Sequence, residues 1–176
     1  PTLAFKDVAM RMLAQLYDWA LEGGCRGKTI IGATSGDTGG AAINAFAGST
    51  KAEVFMLHPR GRISDVQRRM MTTVTEKNII NIAVDGAFDD CQRIVKVLFA
   101  DKELNAALDL GGVNSINWVR LAVQTVYYFS AAARFREPVS FVAPTGNFGD
   151  IFAGYAAKKM GAPILKLGVA VNLNDI

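Results

Sequence analysis

An α/β fold with mostly parallel sheets flanked by helices is predicted by three features of the 176-residue chain. Short apolar runs of strand character alternate with amphipathic stretches of helical period. Two of those runs pass directly into glycine- and hydroxyl-bearing turns that open stretches of small residues, suited to helices packed close to a sheet. A hydrophobic content of 51% with 20% charged residues supplies one sizeable core, and the mean hydropathy of +0.21 argues against disorder.

The elements follow in order. An amphipathic helix is expected over 7–21, then a strand over 29–33 and a helix over 39–47 whose small residues face the sheet. A strand over 53–57 ends at Pro59, followed by a helix over 66–74 and a strand over 79–84. Cys91, Ile94, Val95 and Leu98 share one face of a helix over 88–99. Gly111 and Gly112 interrupt the pattern, so a boundary between two lobes is placed near 109–113. A long helix over 116–135 comes next, with Trp118, Leu121, Val123, Val126, Tyr127 and Phe129 read as core. Val139, Phe141 and Val142 mark a strand over 139–143. A helix over 151–160, rich in Ala and Gly, and a strand over 164–171 complete the series. Parallel strands gather the loops at their carboxyl ends, where open α/β sheets bind ligands.

Composition excludes several classes. The formal charge is +3, and the 19 basic residues are dispersed. The tightest groups are Arg60 with Arg62 and Arg68 with Arg69, which read as solvated faces, not as a nucleic-acid stripe. Cys25 and Cys91 lack metal-ligand spacing and the sequence carries no secretory signal, which fits a reducing cytoplasm. Cys91 reads as a core thiol. The single His58 has no second histidine or paired cysteine nearby, so no metal site is expected. No apolar run is long enough to span a membrane.

Three stretches carry chemistry. Residues 144–150, Pro-Thr-Gly-Asn-Phe-Gly-Asp, join a strand to a helix. Gly146 and Gly149 allow unusual backbone angles there and let an anion approach the amides that open the helix. The same pattern also fits an ordinary strand-to-helix turn. Residues 33–42, Ala-Thr-Ser-Gly-Asp-Thr-Gly-Gly-Ala-Ala, repeat the strand, turn and helix grammar. Thr34, Ser35 and Thr38 offer hydroxyls, and the amides after Gly39 offer donors, suited to an amino-acid carboxylate; Ser35 and Thr38 also suit helix capping. In residues 1–7, Pro-Thr-Leu-Ala-Phe-Lys-Asp, Lys6 sits at a helix start, where a cation is electrostatically disfavoured.

At these stretches, and at Asn114, Ser115, Ile116 and Asn117, the chain resembles the threonine synthase family, pyridoxal-phosphate enzymes of fold type II in the tryptophan synthase β-subunit class. The four motifs stand in the family's order. The resemblance implies a core segment spanning 1–176 of a longer chain, truncated at both ends, with the group contacting the pyridine nitrogen beyond Ile176. It implies pyridoxal 5'-phosphate as cofactor, with Lys6 as the catalytic Schiff-base lysine. Asp37 would meet the cofactor's phenolic oxygen, and Gly146, Asn147, Phe148, Gly149 and Asp150 would hold its phosphate. Sibling cysteine synthases carry asparagine where Asp37 stands. Thr34, Ser35, Gly36, Thr38 and Gly39 would form the substrate loop. Asn114, Ser115, Asn117 and Arg120 would face the substrate's phosphate, for which an arginine fork is well shaped; for Asn114 and Ser115 a capping role is the alternative.

The implied reaction turns O-phosphohomoserine and water into threonine and phosphate by β,γ-replacement. A threonine-synthase-like phospho-lyase, releasing a keto acid from the same substrate, shares these motifs. A non-catalytic phosphate-ligand binding domain would keep both glycine loops and use Lys6 as a surface charge only.

Overall fold

The computed structural model describes residues 2–22, 27–115 and 117–171. Pro1 of the lysine motif, the Cys25 thiol, Ile116 of the asparagine motif and residues 172–176 lie outside them. The chain divides into two compact units, Pro1–Asn114 and Ser115–Ile176.

The first unit runs α1 (Lys6–Ala20), β1 (Lys28–Ala33), α2 (Asp37–Phe46), β2 (Ala52–Pro59), α3 (Asp65–Thr72), β3 (Ile79–Val84), α4 (Phe88–Ala100), α5 (Lys102–Leu108) and β4 (Leu110–Gly112). Its four strands are parallel in the order β3-β2-β1-β4. The chain steps outward from β1 to β3, then returns to the other side of β1. That reversal is a topological switch point, and ligands of open α/β sheets bind beside the strand ends there. The loop from β1 to α2 and the segment leaving β4 both start at this edge.

Ile30 and Ile31 are adjacent on β1 and both buried, as expected of a parallel strand covered on two faces. Val54, Met56, Ile43, Phe46 and Met10 complete this core without exposure. Asn78, just before β3, ties the α2–β2 turn down. Its Nδ2 donates to the carbonyls of Phe46 and Ala52 at 2.8 and 2.9 Å, and its Oδ1 accepts from the Gly48 amide at 3.1 Å.

Two elements were not anticipated. The Gly111 and Gly112 pair read as an interruption is strand β4, registered against Ile30 and Ile31. Glycine has poor strand propensity, so only pairing with β1 makes it a strand. Helix α5 is short, but Asp101 at its N-cap accepts from the Leu104 amide at 3.0 Å, a local signal that sequence reading could have used.

The second unit holds α6 (Trp118–Ala132), β5 (Val139–Pro144), α7 (Gly149–Lys159) and β6 (Ile164–Ala170), with β5 and β6 a parallel pair. Tyr128, Ala153, Ala157, Ala162 and Ile164 form its buried cluster, flanked by Phe129, Phe141 and Leu167. The Tyr128 and Phe141 rings meet edge to face with centroids 5.0 Å apart. A Cβ at Gly154 would lie 2.5 Å from the Tyr128 ring, so the glycine lets α7 approach α6.

The inward face of α6 differs from the expected one. Arg120, Gln124, Thr125, Tyr128 and Ala132 are buried, whereas Trp118 and Val126, read as core, are exposed. Apolar residues lie nearly all round this helix, so hydrophobic period alone does not select its face. Among the described residues no helix is long and apolar enough to cross a membrane.

Candidate active site

Lys6 is the first residue of α1, and no side chain caps the helix there. Its Nζ lies 3.4 Å from Asp37 Oδ2 and 4.3 Å from the centroid of the Phe5 ring, and its side chain is 15% exposed. Both neighbours offset the repulsion between a cation and the positive helix end. The preceding segment is braced by Asp7, whose carboxylate accepts from the Thr2 amide at 2.9 Å and from the Thr2 hydroxyl. Burial alone would raise the Asp7 carboxyl, but the group lies below its ordinary value, with the bonds from Thr2 among the contacts that lower it.

Asp37 opens α2, directly beyond the carboxyl end of β1. In the turn between them Thr34 is buried, and its Oγ1 accepts from the amides of Gly36 at 2.9 Å and Gly39 at 2.8 Å. The Gly39 amide at the start of α2 is thus satisfied by Thr34 and not by Ser35 or Thr38, and the Thr34 O–H keeps its capacity to donate. Ser35 is exposed and Thr38 half-buried. The Gly36 backbone, at φ +143°, lies outside the range open to other residues.

A residue that sequence reading overlooked joins this group. Gln67 of α3 donates from Nε2 to Asp37 Oδ1 at 2.7 Å. Asp37 thus meets Lys6 with one oxygen and Gln67 with the other.

In the second unit the loop from β5 to α7 carries residues 145–148. Phe148, not a glycine, adopts the left-handed conformation, at φ 58°, so the unusual angles expected of Gly146 and Gly149 are absent. What Gly146 contributes is space: a Cβ there would meet nothing within 4 Å. The Phe148 amide donates to Thr145 Oγ1 at 3.0 Å, and the Gly149 amide to Asn147 Oδ1 at 3.3 Å. Side-chain oxygens thus stand on two amides of this loop, and the Asp150 and Ile151 amides follow on the first helical turn, where they lack helical acceptors. Asp150 is anchored by the Tyr128 hydroxyl.

The capping weighed for Asn114 and Ser115 is carried out by Asn117, whose Oδ1 accepts from the amides of Val119 at 3.1 Å and Arg120 at 3.4 Å. Asn117 is therefore the N-cap of α6 and not part of its first turn. Asn114 is exposed and Ser115 half-buried. Arg120 is only 2% exposed, and burial pushes its guanidinium down to about 10. It stays charged at neutral pH at a desolvation cost that an anion would offset.

The first unit thus sets an amine beside a carboxylate, and the second holds a glycine open to solvent and a buried guanidinium. The family model of pyridoxal-phosphate dependent enzymes matches residues 1–173. The chain belongs to that family.

Its relatives narrow the likeness. The threonine synthase of Pseudomonas aeruginosa is 52% identical over all of this chain and 38% of its own length. The crystal structure of pyridoxal-phosphate-bound threonine synthase from Brucella melitensis superposes with a TM-score of 0.87 at 54% identity, over 97% of this chain and 37% of that one. The Escherichia coli threonine synthase gives a TM-score of 0.90 at 46% identity, over 99% and 41%. The chain thus spans about two fifths of the length of these relatives. Its fold is that of the fold type II pyridoxal-phosphate enzymes.

For a member of this family the residues present fit the cofactor. In the first unit Lys6 is the amine held next to a carboxylate at the switch-point edge; in the second, a Cβ at Gly146 would meet open space. Tyr128 and Thr145, like Gln67, escaped sequence reading because their roles arise from contacts between elements or across a turn. Only Thr145 carried a signal, being a hydroxyl three residues before the amide it accepts from.

Proposed function

We propose that the protein is a threonine synthase, converting O-phosphohomoserine and water to threonine and phosphate with pyridoxal phosphate as cofactor. The observation that carries this reading is the Lys6–Asp37 pair at 3.4 Å, set at the starts of α1 and α2. The cofactor, when bound, supplies an electron sink for the charge that develops as protons leave the substrate's carbon chain.

The chain's own residues would then divide the work. Lys6 would hold the cofactor covalently through its Nζ, with loss of water, and the same amine, once freed, would carry protons along the substrate's carbons. Asp37 would orient that amine and face the phenolic oxygen. The amides of residues 148–151 would hold the cofactor phosphate, with Gly146 and Gly149 leaving room and Asn147 Oδ1 giving up the Gly149 amide. Ser35 and Thr38 would receive the substrate carboxylate on a turn shaped by Thr34, Gly36 and Gly39. Arg120, with Asn114, Ser115 and Asn117 nearby in sequence, would bind the phosphate that leaves. We place the enzyme in the cytoplasm, acting on a small-molecule substrate.

The deciding experiment is a product assay on the full-length protein. With pyridoxal phosphate and O-phosphohomoserine it should release threonine and phosphate in equal amounts. Phosphate accompanied by a keto acid would make the protein a phospho-lyase. No phosphate release and no borohydride-bleached visible band would leave a binding domain without catalysis.

A further inference from the structure

Gln67 stands outside every motif described above, yet it completes a hydrogen-bonded chain that ends on Lys6. Its Nε2 donates to Asp37 Oδ1 at 2.7 Å, and Asp37 Oδ2 lies 3.4 Å from Lys6 Nζ. Its Oε1 accepts from Ser64 Oγ at 2.8 Å. Turning the amide over would set its oxygen against the Asp37 carboxylate, which only accepts, so the carboxylate selects the donor end while Ser64 Oγ steadies the other end of the amide. The Ser64 oxygen also caps α3, accepting from the Gln67 amide at 3.3 Å.

Space for this arrangement exists because of Gly36. A Cβ at that position would lie 2.3–2.5 Å from the Gln67 side-chain amide. The turn that carries Asp37 is thus cut to let an amide from α3 pass over it. Asp37 itself is half exposed, and a carboxylate on a short, solvated side chain turns freely unless both oxygens are engaged.

We propose that Gln67 is a positioning residue for the Lys6–Asp37 pair, occupying Oδ1 so that Oδ2 stays directed at the lysine. The inference rests on the reading of Asp37 as a cofactor-facing group. Ser64 and Gly36 are its supports, the first steadying the amide and the second making room for it.

The test is a double-mutant cycle in the full-length protein loaded with pyridoxal phosphate, comparing Gln67→Met, Asp37→Asn and the double variant. Methionine keeps the side-chain length and removes the donor. Gln67→Met should move the visible absorption maximum in the same direction as Asp37→Asn. It should also lower kcat about tenfold with KM little changed, the scale of one hydrogen bond to a charged group. The double variant should be no worse than Asp37→Asn, because Gln67 acts through that carboxylate. Effects that multiply, or a lower melting temperature with an unmoved spectrum, overturn the proposal and leave Gln67 as a docking contact of α3. If Asp37→Asn changes neither spectrum nor cofactor affinity, the reading of Asp37 falls and the proposal with it; if Asp37→Asn changes both and Gln67→Met neither, only the proposal falls. Should Gln67→Met not fold, Ser64→Gly frees the amide at little cost to the cap; it should shift the spectrum the same way by a smaller amount, and no shift overturns the proposal.

Discussion

The phenolic hydroxyl of Tyr128, on α6, lies 3.1 Å from the backbone carbonyl and 3.2 Å from a carboxylate oxygen of Asp150, the second residue of α7. Burial, then the charge and hydrogen bond of Asp150, push this hydroxyl well above its ordinary value, so it remains a donor. One side chain therefore sets where α7 begins, and with it the amides of the preceding loop.

Tyr128→Phe keeps the ring against Phe141 and removes only that donor. It should cost about 1–2 kcal/mol in denaturant unfolding, with an unchanged m-value. In the full-length protein, pyridoxal phosphate should also dissociate faster, because the loop start is loosened. An unchanged midpoint and dissociation rate would show that the hydroxyl anchors nothing.

Thr34→Val is nearly isosteric but leaves the Gly36 and Gly39 amides without their acceptor. Each buried donor so stranded costs about 1–3 kcal/mol, so a loss of about 2–6 kcal/mol is expected for the two. Thr34→Ser should recover most of it, since the oxygen returns. If valine and serine behave alike in thermal unfolding, the hydroxyl is not what shapes this turn.

Lys6→Ala removes the amine assigned to covalent capture. After borohydride treatment of the full-length protein, cofactor should no longer be fixed to the chain, as read by mass spectrometry. Stability should change little, by within about 0.5 kcal/mol, because the ion pair it breaks is partly solvated. Cofactor still fixed in that variant would move the Schiff base to another lysine.

Arg120→Leu separates a phosphate ligand from a packing residue. It should lower kcat/KM for O-phosphohomoserine about tenfold or more, the loss of a charge-assisted bond. Binding of a phosphate-free amino-acid analogue should hold. Equal weakening of both ligands, or early melting with unchanged kinetics, would make Arg120 structural.

Along the chain, the alternation of apolar runs and helical stretches was enough to place eleven of the elements and the parallel class, because strand and helix periods are local properties. The Lys6, Thr34–Gly39 and Gly146–Asp150 stretches were legible for the same reason: helix starts and glycine turns are written in consecutive residues. Strand β4 and the buried face of α6 were not, since one depends on pairing with β1 and the other on which side of an all-round apolar helix meets its neighbours. The left-handed angle at Phe148 and the engagement of Thr34 and Asn117 with amides were likewise decided by closed turns and not by propensity. Gln67 is 30 residues from Asp37 and Tyr128 is 22 from Asp150. Such partners meet only when packing brings their elements together, so the sequence by itself determined the chemical groups and the order of the scaffold, and tertiary structure decided which side chains hold those groups in place.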